Sequence, residues 1–323
     1  MCIALISTAH PSYPLILIDN RDEFLHRPTA SANWWPDSKS HILASRDLAR
    51  AEHGTWLGVT KQGRIAVLTN YREQSSSQAV GVRSRGSIVN SFLELPPDSK
   101  TTTEDYVEDL VAGGDAQQAG GFSLACGSVR GPLAVVSNRV AAKEGIEWIA
   151  KEKGETVGLS NTAFGDRSWK KINDGERLMK EAIEESVKMG ETEDELVQRF
   201  LKLLSIDTLP RLDEVGAEGG LETYINLLRE SIFVPVIGDD KEIKRQVDEV
   251  CTSKIHEKVE VVANRPEDHH AYMRGLYGTQ TQTVVLVHES GRVKYFERTL
   301  YNHRAEEIPL GKGDRTFEFF VEE

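Results

Sequence analysis

The sequence predicts an α+β fold, because strand-like and helical patterns occupy different parts of the chain. Hairpin-like strand pairs stand near the start. Two further strand-like runs, Gly278 to His288 and Arg292 to Tyr301, stand near the end. Helical periodicity is concentrated between them. Strands at both ends of a chain with helices between them indicate that the two ends meet in one sandwich.

The first hairpin is the most informative stretch. The apolar runs Cys2 to Ser7 and Pro14 to Asp19 flank a turn-rich connector, Thr8 to Tyr13. If Ser7 pairs with Pro14, residue counting brings Cys2 opposite about Asp19. The thiol would then lie beside the polar quartet at residues 20–23. One interpretation makes this quartet a charged turn after a buried strand, and the other makes it part of a site.

The chemistry of that site depends on Met1. Methionine is readily removed before a small residue, and Cys2 would then carry a free amine with a pKa of roughly 7.7–8.0, able to accept the proton of its own thiol. Arg21 is of the type that favours a thiolate, and Asp22 of the type that holds an amine. The alternative is that Cys2 is a small apolar residue at the start of a strand.

The segment Pro28 to Ser40 is rich in Pro, Ser and Trp and is predicted to be a loop. Trp34 is a candidate ligand contact, although paired tryptophans also cover cores. The next hairpin pairs Thr55 to Thr60 with Arg64 to Thr69 around a glycine turn. It ends at Asn70 and Arg72, two further candidate ligand contacts.

Arginine recurs after this hairpin, at Arg72, Arg83 and Arg85. These side chains form either an anion-binding rim, since guanidinium binds phosphate and carboxylate with paired donors, or a solvated loop. The remaining predicted elements are helices at 86–95, 104–111, 166–189 and 193–204 and strands at 121–129, 132–138, 146–149, 156–160 and 316–321. Thr192 and Glu195 form a capping box for the last helix. Cys126 reads as a core residue.

The length, composition and net charge of the chain limit the functions that the sequence allows. With 323 residues and 39% hydrophobic content the chain is interpreted as one domain, 1–323, with a helical insertion at about 190–260. A net charge of -12 disfavours a nucleic-acid partner. There is no secretory signal and no apolar run of roughly 18 residues, and the three cysteines form no disulfide framework and have no metal-type spacing. These features predict a cytoplasmic protein. The oligomeric state is not fixed by the sequence.

Several motifs in order resemble the NRDE family, also called the transport and Golgi organisation protein 2 family. One departure is His53, where the family usually has glycine. The motifs that carry the resemblance are Met1-Cys2-Ile3, Asn20-Arg21-Asp22-Glu23-Phe24, Thr55-Trp56-Leu57-Gly58, Leu68-Thr69-Asn70-Tyr71-Arg72, Gly158-Leu159-Ser160-Asn161 and Tyr277-Gly278-Thr279-Gln280.

The chain also resembles N-terminal-nucleophile hydrolases of the choloylglycine and penicillin acylase type. Cys2, Arg21, Asp22 and Asn161 match those enzymes in type and order. The resemblance implies a four-layer α-β-β-α sandwich, with these four residues as the catalytic set. Asn161 would stabilise an oxyanion, or it would satisfy the backbone of its own turn.

The family resemblance implies a role in Golgi organisation and protein secretion, and in the handling of haem or acyl-CoA-type lipid, with association to Golgi or mitochondria. Asn20 and Glu23 complete the expected ligand contacts. No cofactor is required, and haem would be a transient ligand. The histidines at positions 10, 53, 269 and 270 form no Cys-x-x-Cys-His motif and read as surface or loop residues. The alternative function is an amidase or thioesterase with Cys2 as nucleophile.

Overall fold

The computed structural model of the protein describes residues 1–72, 84–114, 116–140, 142–210, 225–238 and 275–322. Arg83, Cys251, His269 and His270 lie outside these described residues. The strands are β1 (Ile3–Ser7), β2 (Leu15–Phe24), β3 (Thr29–Trp34), β4 (Ile42–Asp47), β5 (Leu57–Thr60), β6 (Arg64–Asn70), β7 (Phe122–Ser128), β8 (Leu133–Ser137), β9 (Glu147–Ile149), β10 (Thr156–Ser160), β11 (Tyr277–Val287), β12 (Arg292–Thr299) and β13 (Asp314–Phe320). The helices are α1 (Arg85–Leu93), α2 (Thr103–Ala112), α3 (Lys170–Met189) and α4 (Glu193–Leu204).

Two antiparallel sheets form the centre of the molecule. The first has the order β10-β1-β2-β11-β12-β13, and the second runs from β3 to β9 in sequence order. A core that includes Leu17, Leu57 and Val285 fills the space between them. Helices α1 and α2 pack on the outer face of the second sheet, and α3 and α4 on the outer face of the first. The predicted α+β class and the α-β-β-α layer order are confirmed.

The two ends of the chain meet in the first sheet, as predicted. Strand β11 pairs with β2 along almost its whole length, with Val284 opposite Ile18. The N-terminal strands therefore depend on strands about 260 residues later in the sequence. The polar residues of β2 also receive partners from that distant segment.

The first hairpin forms, but its predicted register is wrong. Ser7 pairs with Ile16 and Ile3 with Asn20, so Pro14 belongs to the connector and Cys2 lies at the level of Arg21 instead of Asp19. Strand β2 also runs on to Phe24, so the quartet is strand and not turn. The reason is that β11 gives the quartet ladder partners on its other edge, with Thr279 opposite Asp22.

Side chains along β2 alternate between two environments. Leu15 and Leu17 face the core between the sheets, whereas Ile16 and Ile18 face α3 and α4. Because successive strand residues point to opposite faces, Asn20 and Asp22 share the helix side and Arg21 the space between the sheets. The side chains of the quartet therefore lie in two different environments, the helix side of the first sheet and the space between the two sheets.

The predicted loop from Pro28 to Ser40 is wrong in its first half. It contains β3, which pairs with β4 at the edge of the second sheet with a break in register between Ala30 and Asn33. Strand β4 was not predicted either. An edge strand with this irregularity lacks the regular alternation that identifies a half-buried strand.

The outer helices follow the predicted periodicity closely. Helix α3 begins at Lys170, later than the predicted Asp166, because Asp166 accepts hydrogen bonds from the Thr162 hydroxyl (2.6 Å) and the Ser168 amide (2.9 Å) in the preceding turn. Helix α4 has the predicted capping box. Helix α4 packs on the first sheet. Much of the rest of the proposed insertion, 211–224 and 239–260, lies outside the described residues.

The turn before Thr55 explains one departure from the family pattern. His53 has φ 44°, in the left-handed region that favours glycine. The family's glycine at this position suits that conformation, and histidine is one of the residue types that tolerate it better than most.

Candidate functional site

The amino end of the chain lies deep in the fold. The Met1 amine is 3.2 Å from Asp22 Oδ2 and donates a hydrogen bond to the Tyr277 hydroxyl. Burial lowers the pKa of this amine, and the Asp22 carboxylate opposes that effect. The Met1 side chain packs in an apolar cluster with Trp169, Ile172, Leu228, Val234 and Ile237. The first residue is therefore held at both its polar and its apolar parts.

Asp22 is the centre of the polar contacts. Its Oδ1 accepts a hydrogen bond of 2.7 Å from Thr279 Oγ1, and its backbone carbonyl accepts one of 3.1 Å from the Tyr277 hydroxyl. Its Oδ2 faces both the Met1 amine and, at 3.7 Å, Lys171 Nζ. One carboxylate thus joins β2, β11, α3 and the start of the chain.

Lys171 is a buried cation that sequence reasoning missed. Its side chain has no exposed surface. Nζ donates to the Met1 carbonyl at 2.6 Å and to the Leu228 carbonyl at 3.5 Å. Burial lowers its pKa, and Asp22 raises it. One signal was available, since Lys171 is four residues before Gly175 and eight before Met179 and so lies on the buried stripe of α3.

The Cys2 thiol is partly buried and lies 3.7 Å from the Asp22 carbonyl, to which it donates. Burial raises its pKa to about 11; the Met1 amine opposes this effect, and the Asp22 and Asp19 carboxylates add to it. The thiol is therefore protonated near neutral pH while Met1 is present. The activating cation that the sequence suggested is not among the main influences on it.

Arg21 is held away from that role. Its guanidinium donates to Gln280 Oε1, and its central carbon lies 4.3 Å from the centroid of the Trp56 ring. The side chain is 5% exposed. Arg21 therefore connects the two sheets near Cys2, with Gln280 on one side and Trp56 on the other.

Asn161 approaches the site from β10. Ser160 Oγ donates to the Cys2 carbonyl at 2.6 Å, and the Arg72 amide donates to the Asn161 carbonyl at 2.9 Å. These bonds fix the backbone of Asn161 next to Cys2. The residue is 7% exposed, and its Oδ1 has no hydrogen-bond partner among the described residues. A buried amide oxygen without a partner is available to a ligand.

Two of the other candidate residues, Asn20 and Trp34, make structural contacts. Asn20 Nδ2 donates to the Leu204 and Ile232 carbonyls at 2.7 and 2.9 Å, which is a structural role. Trp34 packs against Phe319 with ring centroids 5.1 Å apart, and neither belongs to the contacts around Cys2.

Glu23, Asn70 and Arg72 lie at strand ends. Glu23 Oε2 is 3.8 Å from Arg27 Nε, and Asn70 ends β6 opposite Phe122. The Arg72 guanidinium donates to Asn226 Oδ1 at 2.8 Å and to a neighbouring carbonyl. The two Arg72 contacts join the end of β6 to residues 225–238.

Two arginines, Arg27 and Arg50, lie close to a third, Arg85. Burial lowers the pKa of Arg85 to about 10; the Glu23 carboxylate opposes this, and Arg50 and Arg27 add to it. A cavity of about 210 Å³ opens beside Gln280. Its lining is mostly polar and consists of Arg27, Thr29, Ser31, Ser45, Gln280, Thr281, Glu297, Thr299, Tyr301, Asn302, His303 and Ile308.

A metal site is not evident in the part of the chain that the structure describes, where no group of three or more His, Cys, Asp or Glu side chains converges. Among the helices of the same described residues, none is long and apolar enough to cross a membrane.

The family model described as Transport and Golgi organisation 2 matches residues 1–302. The chain belongs to this family. The Transport and Golgi organization protein 2 homolog of Bos taurus is 30% identical over 290 residues, covering 90% of this chain and 87% of that protein. The Homo sapiens homolog is 28% identical over 300 residues, with the same two coverages of 90% and 87%. The NRDE resemblance is thereby confirmed.

One solved structure similar to this member of the Transport and Golgi organisation 2 family is the Caenorhabditis elegans ortholog of N-acylethanolamine-hydrolyzing acid amidase. It is 13% identical, with a TM-score of 0.43, covering 62% of this chain and 85% of that one. A likeness at this level assigns no activity to the family member described here.

Proposed function

We propose that this protein binds and transfers an acyl-CoA-type lipid in the cleft beside Cys2 and the quartet, with haem as a second candidate ligand. The observation that carries the proposal is the state of the Cys2 thiol. Burial raises its pKa to about 11, and the neighbouring Met1 amine is engaged by Asp22, so that amine is not poised to remove the thiol proton. This arrangement suits a binding site better than a nucleophile.

Charge supports an anionic ligand. Arg27, Arg50 and Cys2 each lie close enough to Arg85 for their charges to act on its pKa, and Arg27 is itself paired with Asp47 at 2.7 Å. Guanidinium groups bind phosphate through paired donors, and an acyl-CoA carries phosphates at the end away from its acyl chain. One of these arginines, Arg27, also lines the cavity beside Gln280. For haem, a protonated thiol is a poor iron ligand, which makes haem the second choice.

A second candidate function is hydrolysis of an amide or thioester, and Asn161 favours it. Its backbone is fixed next to Cys2, because the Ser160 hydroxyl donates to the Cys2 carbonyl and the Arg72 amide donates to the Asn161 carbonyl. In a chain that begins at Cys2, the free amine would take the thiol proton and the thiolate would attack the ligand carbonyl. Asn161, through its amide nitrogen, would stabilise the oxyanion, and the amine would return the proton to the leaving group. Water, giving its proton to the same amine, would then attack the Cys2 thioester and release the acid, and the amine would return that proton to the Cys2 sulfur.

The test compares the parent with Cys2→Ser, each with an N-terminus confirmed by intact mass. Both proteins are incubated with acyl-CoA, acyl-amide and haem panels, and binding and product are measured separately. A carrier binds equally well in both forms and gives no product. Product formed over many turnovers by the parent alone would replace the carrier with the hydrolase, and no binding of any panel member by either protein would reject both functions.

We further infer that this activity serves Golgi organisation and protein secretion from the cytoplasm, in contact with Golgi or mitochondrial membranes. The family membership supports the Golgi link. Because the Met1 amine is enclosed, the protein is followed with a fluorescent tag at its C-terminus. Coincidence with neither organelle would reject the inference.

A further inference from the structure

The seat of Met1 is built like a ligand site. The structure binds the amine through Asp22, the carbonyl through Lys171 and the side chain through an apolar cluster around Trp169 and Ile172. Each chemical part of one residue has its own partner. A chain end at a protein surface is ordinarily poorly ordered and has none of these contacts.

We propose that this seat is the acyl-chain subsite of the protein, and that Met1 occupies it in place of the ligand. When the chain begins at Cys2, the pocket takes the part of a fatty acyl chain nearest its carbonyl, over about the length of the Met1 side chain that it holds here. Lys171 Nζ then donates to the acyl carbonyl oxygen. The proposal rests on the proposed function, because it assigns a place to the acyl end of the same ligand whose anionic end the arginines bind.

The apolar half of the seat would be unfavourable if left empty. Leu228 and Val234 are 1% and 0% exposed, so the void left by Met1 would be enclosed on those sides. Removing a buried side chain of this size costs the transfer free energy of its atoms and a cavity term besides. An alkyl chain that fills the void restores the apolar contacts and removes the cavity, so excision of Met1 favours an apolar ligand.

The polar half of the seat selects the ligand's chemistry. Lys171 loses its shortest acceptor, the Met1 carbonyl oxygen at 2.6 Å, when Met1 is excised. Its remaining contacts are the Leu228 carbonyl at 3.5 Å and Asp22 Oδ2 at 3.7 Å. A buried ammonium group needs acceptors, and a carbonyl oxygen replaces the lost one. A cationic ligand would be repelled by Lys171.

The position of Cys2 agrees with this assignment. Met1 and Cys2 directly precede β1: the Met1 side chain packs in the cluster around Trp169, and the Cys2 thiol lies 3.7 Å from the Asp22 carbonyl. The charge of Cys2 acts on Arg85, so Cys2 lies between the Met1 seat and the arginine cluster. A ligand that crosses the strand end at Cys2 would place its alkyl chain on the helix side. Its anionic end would lie on the Cys2 side, toward Arg85, on which the charge of Cys2 acts. An acyl-CoA has this order of apolar, carbonyl and anionic parts.

The test uses two versions of the full chain, one beginning at Met1 and one at Cys2, each released from a cleavable N-terminal fusion and checked by intact mass. Palmitoyl-CoA and dansyl-labelled undecanoic acid are the two probes. We expect the chain that begins at Cys2 to bind both at least about ten-fold more tightly, since an added apolar contact of roughly 1.5 kcal/mol has that effect.

Variants of the chain that begins at Cys2 locate the effect. Lys171→Met removes the carbonyl donor, and Ile237→Phe fills the pocket; each is expected to weaken binding about ten-fold, the loss of one contact to a charged donor. Lys170→Met is the matched control, since the neighbouring Lys170 pairs with Asp174 on the exposed face of α3. It should leave binding unchanged. Circular dichroism verifies that each variant is folded, and the two unmutated chains decide the question if one is not.

The outcomes separate this inference from the proposed function. Equal binding of palmitoyl-CoA by both chains would overturn the subsite and leave the carrier function intact. Binding of the dansyl fatty acid alone, with dependence on Met1 and Lys171, would support the subsite and reject acyl-CoA as the ligand. No binding of either probe by the chain that begins at Cys2 would overturn the subsite.

Discussion

Lys171 Nζ lies 3.7 Å from Asp22 Oδ2, and neither side chain is exposed to solvent. The pair joins the outer helix α3 to the central strand β2, and the Met1 amine adds a second cation to the same carboxylate oxygen. Two enclosed cations therefore depend on one acid. Truncation of that acid leaves both without a counter-ion, which is far more costly than loss of a surface pair.

We expect Asp22→Ala to lower the free energy of unfolding by about 3–5 kcal/mol, the range for removing one partner of a buried pair. Urea denaturation measures the loss. Asp174→Ala is the control, because Asp174 pairs with the exposed Lys170 and should cost about 0–1 kcal/mol. Equal losses in the two variants would show that the Asp22 network does not stabilise the fold.

Two of the buried asparagines, Asn20 and Asn161, should respond differently to alanine. Asn20→Ala leaves the Leu204 and Ile232 carbonyls without their donor and should cost about 1–3 kcal/mol. Asn161→Ala removes an amide whose oxygen has no partner among the described residues and should cost less than about 1 kcal/mol. Denaturation curves compare them. A larger loss for Asn161→Ala would assign it a structural role.

The Cys2 thiol should be unreactive in the protein that retains Met1. Its pKa is raised to about 11, whereas a free thiol has about 8.5, so the thiolate fraction near pH 7.5 is at least about ten-fold smaller. Iodoacetamide labelling of the Cys2 peptide, measured by mass spectrometry against glutathione, tests this. Labelling as fast as glutathione contradicts the assigned environment.

Acid should weaken the contact between α4 and β12. Glu193 has a pKa of about 2: burial opposes this shift, but hydrogen bonds from Arg292, Tyr13 and Lys294 outweigh it. A depressed carboxyl pKa stabilises the fold fully above the unfolded value of about 4.3, and the stabilisation is lost as pH falls toward 2. Glu193→Gln should lack this component of the pH profile, as measured by denaturation between pH 5 and pH 2. Parallel profiles for parent and variant would contradict it.

Sequence patterns predict the layers better than they predict the site. Periodicity identifies α3 and α4, and turn residues identify the hairpins, because these signals lie within each element. The quartet misleads for the opposite reason. Its polar residues read locally as a turn, yet Thr279 and Gln280, more than 250 residues later, supply the partners that make it an interior strand.

The roles of individual charges are equally non-local. Lys170 and Lys171 are adjacent and chemically identical, and only the packing of α3 buries one and exposes the other. Arg21 is in the expected position, but its direction depends on Gln280 from β11 and on Trp56, the residue before β5. Spacing can place such residues on a face, and tertiary partners determine what they do there.

The place of β2 in the first sheet bears on the timing of events during synthesis. This strand lies between β1 and β11, so the edge that carries Asp22 has no partner until residues 277–287 exist. At about 5–20 residues per second, the nascent N-terminus waits roughly 15–55 s for them. An aminopeptidase can reach Met1 during that interval, before Asp22 and Tyr277 enclose the amine. Processing that needs an accessible Met1 amine therefore belongs to the interval before β11 pairs with β2.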